Sequence, residues 1–176
     1  MSRRAAANII RRWREDPVFF VRNELKAEPD DWQLETLEAY RTGAKRIALA
    51  ACKGPGKSAV LSWIILNFLA TRPHPKIVAT SITKENLRDG LWSELAKWMN
   101  NSPFFRKGFK WTAERIYSLE HPETWFASAR TWPKDGDPTQ QANTLAGIHA
   151  DYVLFVIDEA GGIPEGVAAA ADAGLS

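Results

Sequence analysis

Lys57 and Ser58 directly follow Gly54-Pro55-Gly56, bringing an ammonium and a hydroxyl next to a backbone of high conformational freedom. In a glycine-rich turn of this kind, successive backbone N–H groups converge on an anion, and a following helix adds the positive end of its dipole. Lys57 would then place its charge on the β- and γ-phosphates of a nucleotide, and the Ser58 hydroxyl would ligate Mg²⁺. The full stretch Ala51-Cys52-Lys53-Gly54-Pro55-Gly56-Lys57-Ser58 departs from the usual Gly-x-x-x-x-Gly-Lys-Ser/Thr pattern by carrying Ala51 at the first glycine. A second pair of chemically capable residues is Asp158-Glu159. Two carboxylates at the end of a buried strand suit Mg²⁺ binding by Asp158 and activation of an attacking water by Glu159. Taken singly, each motif has a bland reading: a glycine turn that happens to carry Lys-Ser, or a core strand that happens to end in acids. Together and in this order they predict a Mg-ATP site. Glu159 as a hydrolytic base favours an ATPase over a nucleoside kinase.

Such residues need strands and helices to hold them. The apolar run Arg46-Ile47-Ala48-Leu49-Ala50 predicts a strand entering the glycine turn, and Ala59-Val60-Leu61-Ser62-Trp63-Ile64-Ile65-Leu66 predicts the helix leaving it. Tyr152-Val153-Leu154-Phe155-Val156-Ile157 is a continuous apolar run, as in a strand buried within a parallel sheet. Its Asp158-Glu159 end would lie at the carboxyl edge, where open α/β sheets bind ligands. Between the two motifs, 75–81 reads as a strand. Leu87, Leu91, Leu95, Trp98 and Met99 give 84–100 a helical period. Short strands are expected at 109–111, 115–119 and 124–127, in a meander. This layout predicts an α/β fold: a RecA-like P-loop NTPase of the additional-strand, catalytic-glutamate class, with a mostly parallel sheet flanked by helices.

At this point the chain resembles a known family, the ATPase domain of bacteriophage large terminase subunits, which are DNA-packaging motors. Asp31-Trp32-Gln33 stands upstream of the phosphate loop, where that family carries a Trp-Gln adenine-recognition element. The loop 51–58 is similar to the family's variant Walker A motif. Thr80-Ser81, Asn86-Leu87 and Leu91-Trp92 resemble its second strand and helix. Leu145-Ala146-Gly147-Ile148-His149-Ala150-Asp151, leading into Val156-Ile157-Asp158-Glu159-Ala160-Gly161-Gly162-Ile163-Pro164, resembles its Walker B block. The likeness runs over roughly residues 16–175.

The resemblance implies particular roles. Trp32 and Gln33 would contact the adenine, for which an amide offers both a donor and an acceptor. Without the resemblance, Gln33 would read as an exposed helix glutamine. Lys53 stands where many terminases have an arginine and would add charge over the γ-phosphate, although an ammonium lacks the bidentate fork. Arg130 is a candidate trans-acting arginine finger for a neighbouring subunit, against the alternative of a surface salt bridge. The implied function is ATP hydrolysis that drives double-stranded DNA into a procapsid. The implied cofactors are ATP and Mg²⁺, and the implied partners are DNA, the portal protein, the small terminase subunit and further copies in a homo-oligomeric ring. Two other readings stay open: another RecA-like motor such as a superfamily 2 helicase, and a truncated, inactive partner-binding domain. For a helicase, Ala160-Gly161 is an unusual sequel to Asp158-Glu159.

Composition agrees with one globular unit. The chain has 176 residues, of which 45% are hydrophobic, enough for one sizeable core. Its single Cys52 rules out an internal disulfide, and three scattered histidines with one cysteine make no zinc cluster. No apolar run reaches transmembrane length and Met1-Ser2-Arg3-Arg4 does not open a signal peptide, so the expected location is the cytoplasm of a host cell. A net charge of +2 is too small to argue for nucleic acid by itself, although Arg3, Arg4, Arg11, Arg12 and Arg14 crowd the first helix. Residues 1–30 are expected to form a helical arm whose apolar side is Trp13, Val18, Phe19, Phe20 and Leu25. The ATPase core is expected over 31–176, with Asp31 as N-cap of a helix through Tyr40. Terminases continue into a Gly-Asn coupling strand and a nuclease domain. The sequence shows neither, so the expectation is an N-terminal fragment or a truncated product lacking the nuclease.

Overall fold

The computed structural model describes residues 2–49, 54, 56–131, 137, 139, 148–159, 166, 167, 169 and 171. The chain opens with α1 (Arg3–Glu15), started by the Ser2 side chain, and α2 (Pro17–Phe20), started by Asp16, which runs into a π-helical turn at Val21–Leu25. Pro17 at the first position of α2 has no N–H to leave unpaired. Then come α3 (Asp31–Arg41) and α4 (Lys57–Thr71). Next are β1 (Lys76–Thr80), α5 (Lys84–Leu87), a second π-helical turn at Arg88–Trp92, and α6 (Ser93–Asn101). The described elements close with α7 (Pro103–Gly108), β2 (Phe109–Trp111), β3 (Arg115–Ser118), β4 (Phe126–Arg130) and β5 (Val153–Ile157).

The strands form one sheet in the order β2-β3-β4-β1-β5. β1 pairs in parallel with both β4 and β5, while β2–β3 and β3–β4 are antiparallel. The sheet is therefore mixed, where a mostly parallel one was expected. The short meander allows hairpin connections, and those force antiparallel neighbours. The extended segment Arg46–Leu49 is not a strand, contrary to expectation. No described strand pairs with it, and residues 46–48 are exposed to water.

Every residue of α4 from 62 to 71 is buried, so this helix is the centre of the molecule rather than an amphipathic cover. Its apolar side chains join Trp13, Phe20, Val21 and Leu25 of the N-terminal segment, Ile77 and Ala79 of β1, and Leu91, Trp92 and Leu95 in one cluster. Val78 faces the other way, against Ile148, Val167 and Ala171. Alternate β1 side chains thus enter cores on opposite faces, which is why the strand is apolar throughout.

Candidate active site

The phosphate-loop motif meets the fold at the start of α4. Gly54 and Gly56 both have left-handed backbones, with φ of 100° and 82°. Gly56 is the N-cap, and among the described residues no side chain caps the first turn of α4. Backbone N–H groups in the first turn of a helix are the donors that an anion site uses. A side chain at Gly56 would be strained twice, by its φ and by a Cβ only 2.7 Å from Gln33 Nε2. That close approach has a cause in α3. Gln33 Oε1 accepts a hydrogen bond from the Asp30 N–H at 2.9 Å, closing a capping box, while Nε2 donates to the Gly56 carbonyl at 3.1 Å. Asp30 is therefore the N-cap, one residue before the expected Asp31. Gln33 is 4% exposed and engaged at both ends of its amide, tying the helix start of α3 to the phosphate loop. Trp32 is half-buried against the main core cluster. Lys57 and Ser58 are half-buried in the first turn of α4. Ala51, Cys52, Lys53 and Pro55 lie outside the described residues.

The carboxylates arrive from β5. In parallel register Thr80 of β1 stands beside Ile157 of β5, and the Asp158 N–H donates to the Thr80 carbonyl at 2.8 Å. Both strands therefore end at one level. Asp158 is 8% exposed, and burial is the main cause that pushes its carboxyl above the usual range, with the Glu159 carboxylate adding to it. The Glu159 N–H and the Lys57 ammonium pull the other way. Lys57 thus favours the charged form of Asp158, and a bound divalent cation would favour it further. Glu159 is exposed and has a left-handed backbone, φ 59°. For a non-glycine residue that conformation costs about 1–2 kcal/mol.

Four residues at this edge were not singled out by sequence reasoning for any role of their own. Asn86 Nδ2 donates to Glu159 Oε2 at 2.7 Å. A Cβ on Gly90 would lie 3.6 Å from Asp158 Oδ2, so the π-helical turn passes against that carboxylate. The Thr80 and Ser81 hydroxyls are buried without a hydrogen-bond partner among the described residues. Thr80-Ser81 and Asn86 stood in the sequence only as part of a block. The pairing of β1 with β5, which makes them neighbours of the acids, is not written in local sequence. Arg130 is the last residue of β4, level with Thr80 and on the far side of β1 from β5. It is half-buried, and burial, followed by the nearby Arg115, holds its guanidinium below the usual range.

The residues present suit Mg-ATP: the first turn of a helix, a cationic side chain, and a buried carboxyl whose charged form a cation would favour. No family model matches the chain. Over 165 residues it is 23% identical to a protein of Enterobacteria phage P7 described as "Probable terminase, large subunit". The chain is similar to a phage terminase. The match takes in 88% of this chain and 32% of that relative, so the chain spans about a third of the relative's length. No helix among the described residues is long and apolar enough to cross a membrane.

Proposed function

We propose that this chain is the ATP-hydrolysing part of a phage large terminase subunit, of the RecA-like catalytic-glutamate class, which translocates double-stranded DNA. The observation that carries the reading is that Lys57, in the first turn of α4, and the buried Asp158, directly after β5, come together at one edge of the sheet and interact electrostatically. The likeness to the phage P7 protein supports the packaging role.

Bound Mg-ATP would supply the electrophilic phosphorus and the cation that spreads its charge. Lys57 and the first-turn N–H groups of α4 would hold the phosphates, and Ser58 and Asp158 the cation. Glu159 would accept the proton of the attacking water at its carboxylate. Gln33 fixes Gly56 and, through it, the direction of the loop carbonyl and amides. In a ring of copies, Arg130 would be offered to the neighbour's site. Portal protein and small terminase subunit are the partners this role requires, and contacts to DNA phosphates would make binding salt-dependent.

Hydrolysis by the Glu159→Gln and Lys57→Ala variants tests the site. We expect turnover to fall by at least about a hundredfold in each, since each removes a group acting on the reacting phosphate or water. Glu159→Gln should still bind Mg-ATP. Wild-type rates in either variant would refute the assignment.

A further inference from the structure

We propose that Asn86 is a positioning residue that sets the direction of the Glu159 carboxylate, and that the segment from Thr83 to Gly90 forms the wall holding both acids. The inference rests on the hydrolytic reading of Glu159 given above. The Thr83 hydroxyl caps α5 by accepting from the Asn86 N–H at 3.0 Å, and Leu87, 2% exposed, anchors the same turn in the core. The backbone of Asn86 is therefore fixed, and its carboxamide reaches Glu159 Oε2 at 2.7 Å across 73 positions of sequence. Only one carboxylate oxygen is used. Oε1 has no partner among the described residues and stays available to a water. One turn later Gly90 passes Asp158 Oδ2 with no side chain in between. A π-helical turn widens the helix at that point, and such turns recur at functional sites.

The logic is mechanical. The left-handed Glu159 backbone points its side chain toward α5, and the level ends of β1 and β5 put α5 within reach. A carboxylate on a flexible stem that is exposed to water would otherwise sample several rotamers, few of them useful for proton abstraction.

The test is a comparison of Asn86→Ala, Asn86→Asp and Asn86→Gln, read as kcat and as the Kd of fluorescent ATP. Asn86→Ala should lower kcat about tenfold to a hundredfold with Kd within about threefold, as expected for misplacement of a reacting group. Asn86→Asp should fall further, because a second carboxylate would repel Glu159, while Asn86→Gln should recover part of the rate. A wild-type kcat in Asn86→Ala, or parallel loss of kcat, ATP binding and thermal stability, would overturn the proposal. The Asn86 side-chain amide resonance gives a readout that needs no turnover, and it should move in Glu159→Ala. A resonance that does not move overturns the contact. A moving resonance in a wild-type protein that does not hydrolyse ATP would instead sink the ATPase reading while upholding the contact.

Discussion

Asn67 and Asp158 are both buried polar residues, one in the middle of α4 and the other just past β5, and their surroundings differ in kind. Asn67 Oδ1 accepts from the Tyr40 hydroxyl at 2.9 Å and from Arg72 at 3.3 Å, while Nδ2 donates to the Trp13 carbonyl at 2.8 Å. The Thr71 hydroxyl donates to the Asn67 carbonyl at 2.6 Å and accepts from Arg72 at 2.7 Å. The network joins α1, α3 and α4, so the N-terminal segment is fastened to the core by satisfied polar groups as well as by Trp13 and Phe20. Asp158 has a like charge beside it, and the hydroxyls of Thr80 and Ser81, at the end of the neighbouring strand, lack partners among the described residues. One region spends its polar groups on the fold. The other keeps them for something that binds, at some expense in stability.

Substitutions that unbalance either side should break this contrast. The largest effect is expected for Asn67→Ala, which takes away the acceptor of the Tyr40 O–H and the Nδ2 donor to the Trp13 carbonyl at once. Stability should fall by about 2–4 kcal/mol, a drop in Tm of roughly 5–15 °C by thermal melting. A drop below about 2 °C would mean the network is decorative.

Tyr40→Phe should be milder, about 1–2 kcal/mol, because Arg72 keeps the Thr71 and Asn67 oxygens. It also carries a pH signature. Burial, opposed by Arg72, pushes the Tyr40 hydroxyl from 10.0 up to about 12. Between those values the folded protein keeps a proton that the unfolded chain releases, so stability is whole below pH 10.0 and declines as pH rises toward about 12. In Tyr40→Phe this alkaline decline should be reduced, as urea melts across that interval would reveal.

The smallest effect sharpens the contrast by its sign. Asp158→Asn removes an acid that burial disfavours in its charged form. The ligand-free protein should gain on the order of 1 kcal/mol, about 2–4 °C in Tm. The same variant should lose the stabilisation that Mg-ATP gives the wild type. Destabilisation of the ligand-free variant would show that Asp158 is a structural acid after all.

Much of this was legible in the residues. The stretches 152–157 and 75–81 became β5 and β1, the latter one residue shorter at each end, and the 109–127 stretch became a meander, because alternation and hydrophobic runs act over a few neighbours. The helical period from Leu87 to Met99 was read as one helix, whereas the structure inserts a π-helical turn at Arg88–Trp92 that the spacing of apolar residues does not betray. Arg46–Leu49 had the composition of a strand and did not become one, since a strand exists only with a neighbour to complete its hydrogen bonds.

By itself the sequence determined the reactive groups: the glycines with Lys57 and Ser58 before a helix, and Asp158-Glu159 after a buried strand. Those are short-range patterns, set by backbone sterics and by side-chain type. Tertiary structure alone decided that Gln33 would hold Gly56, that Asp158 would be buried beside Gly90, and that Asn86 would grip Glu159. Each depends on which elements become neighbours. The packing of α4 and the parallel pairing of β1 with β5 settle that, by burying apolar surface far apart in sequence.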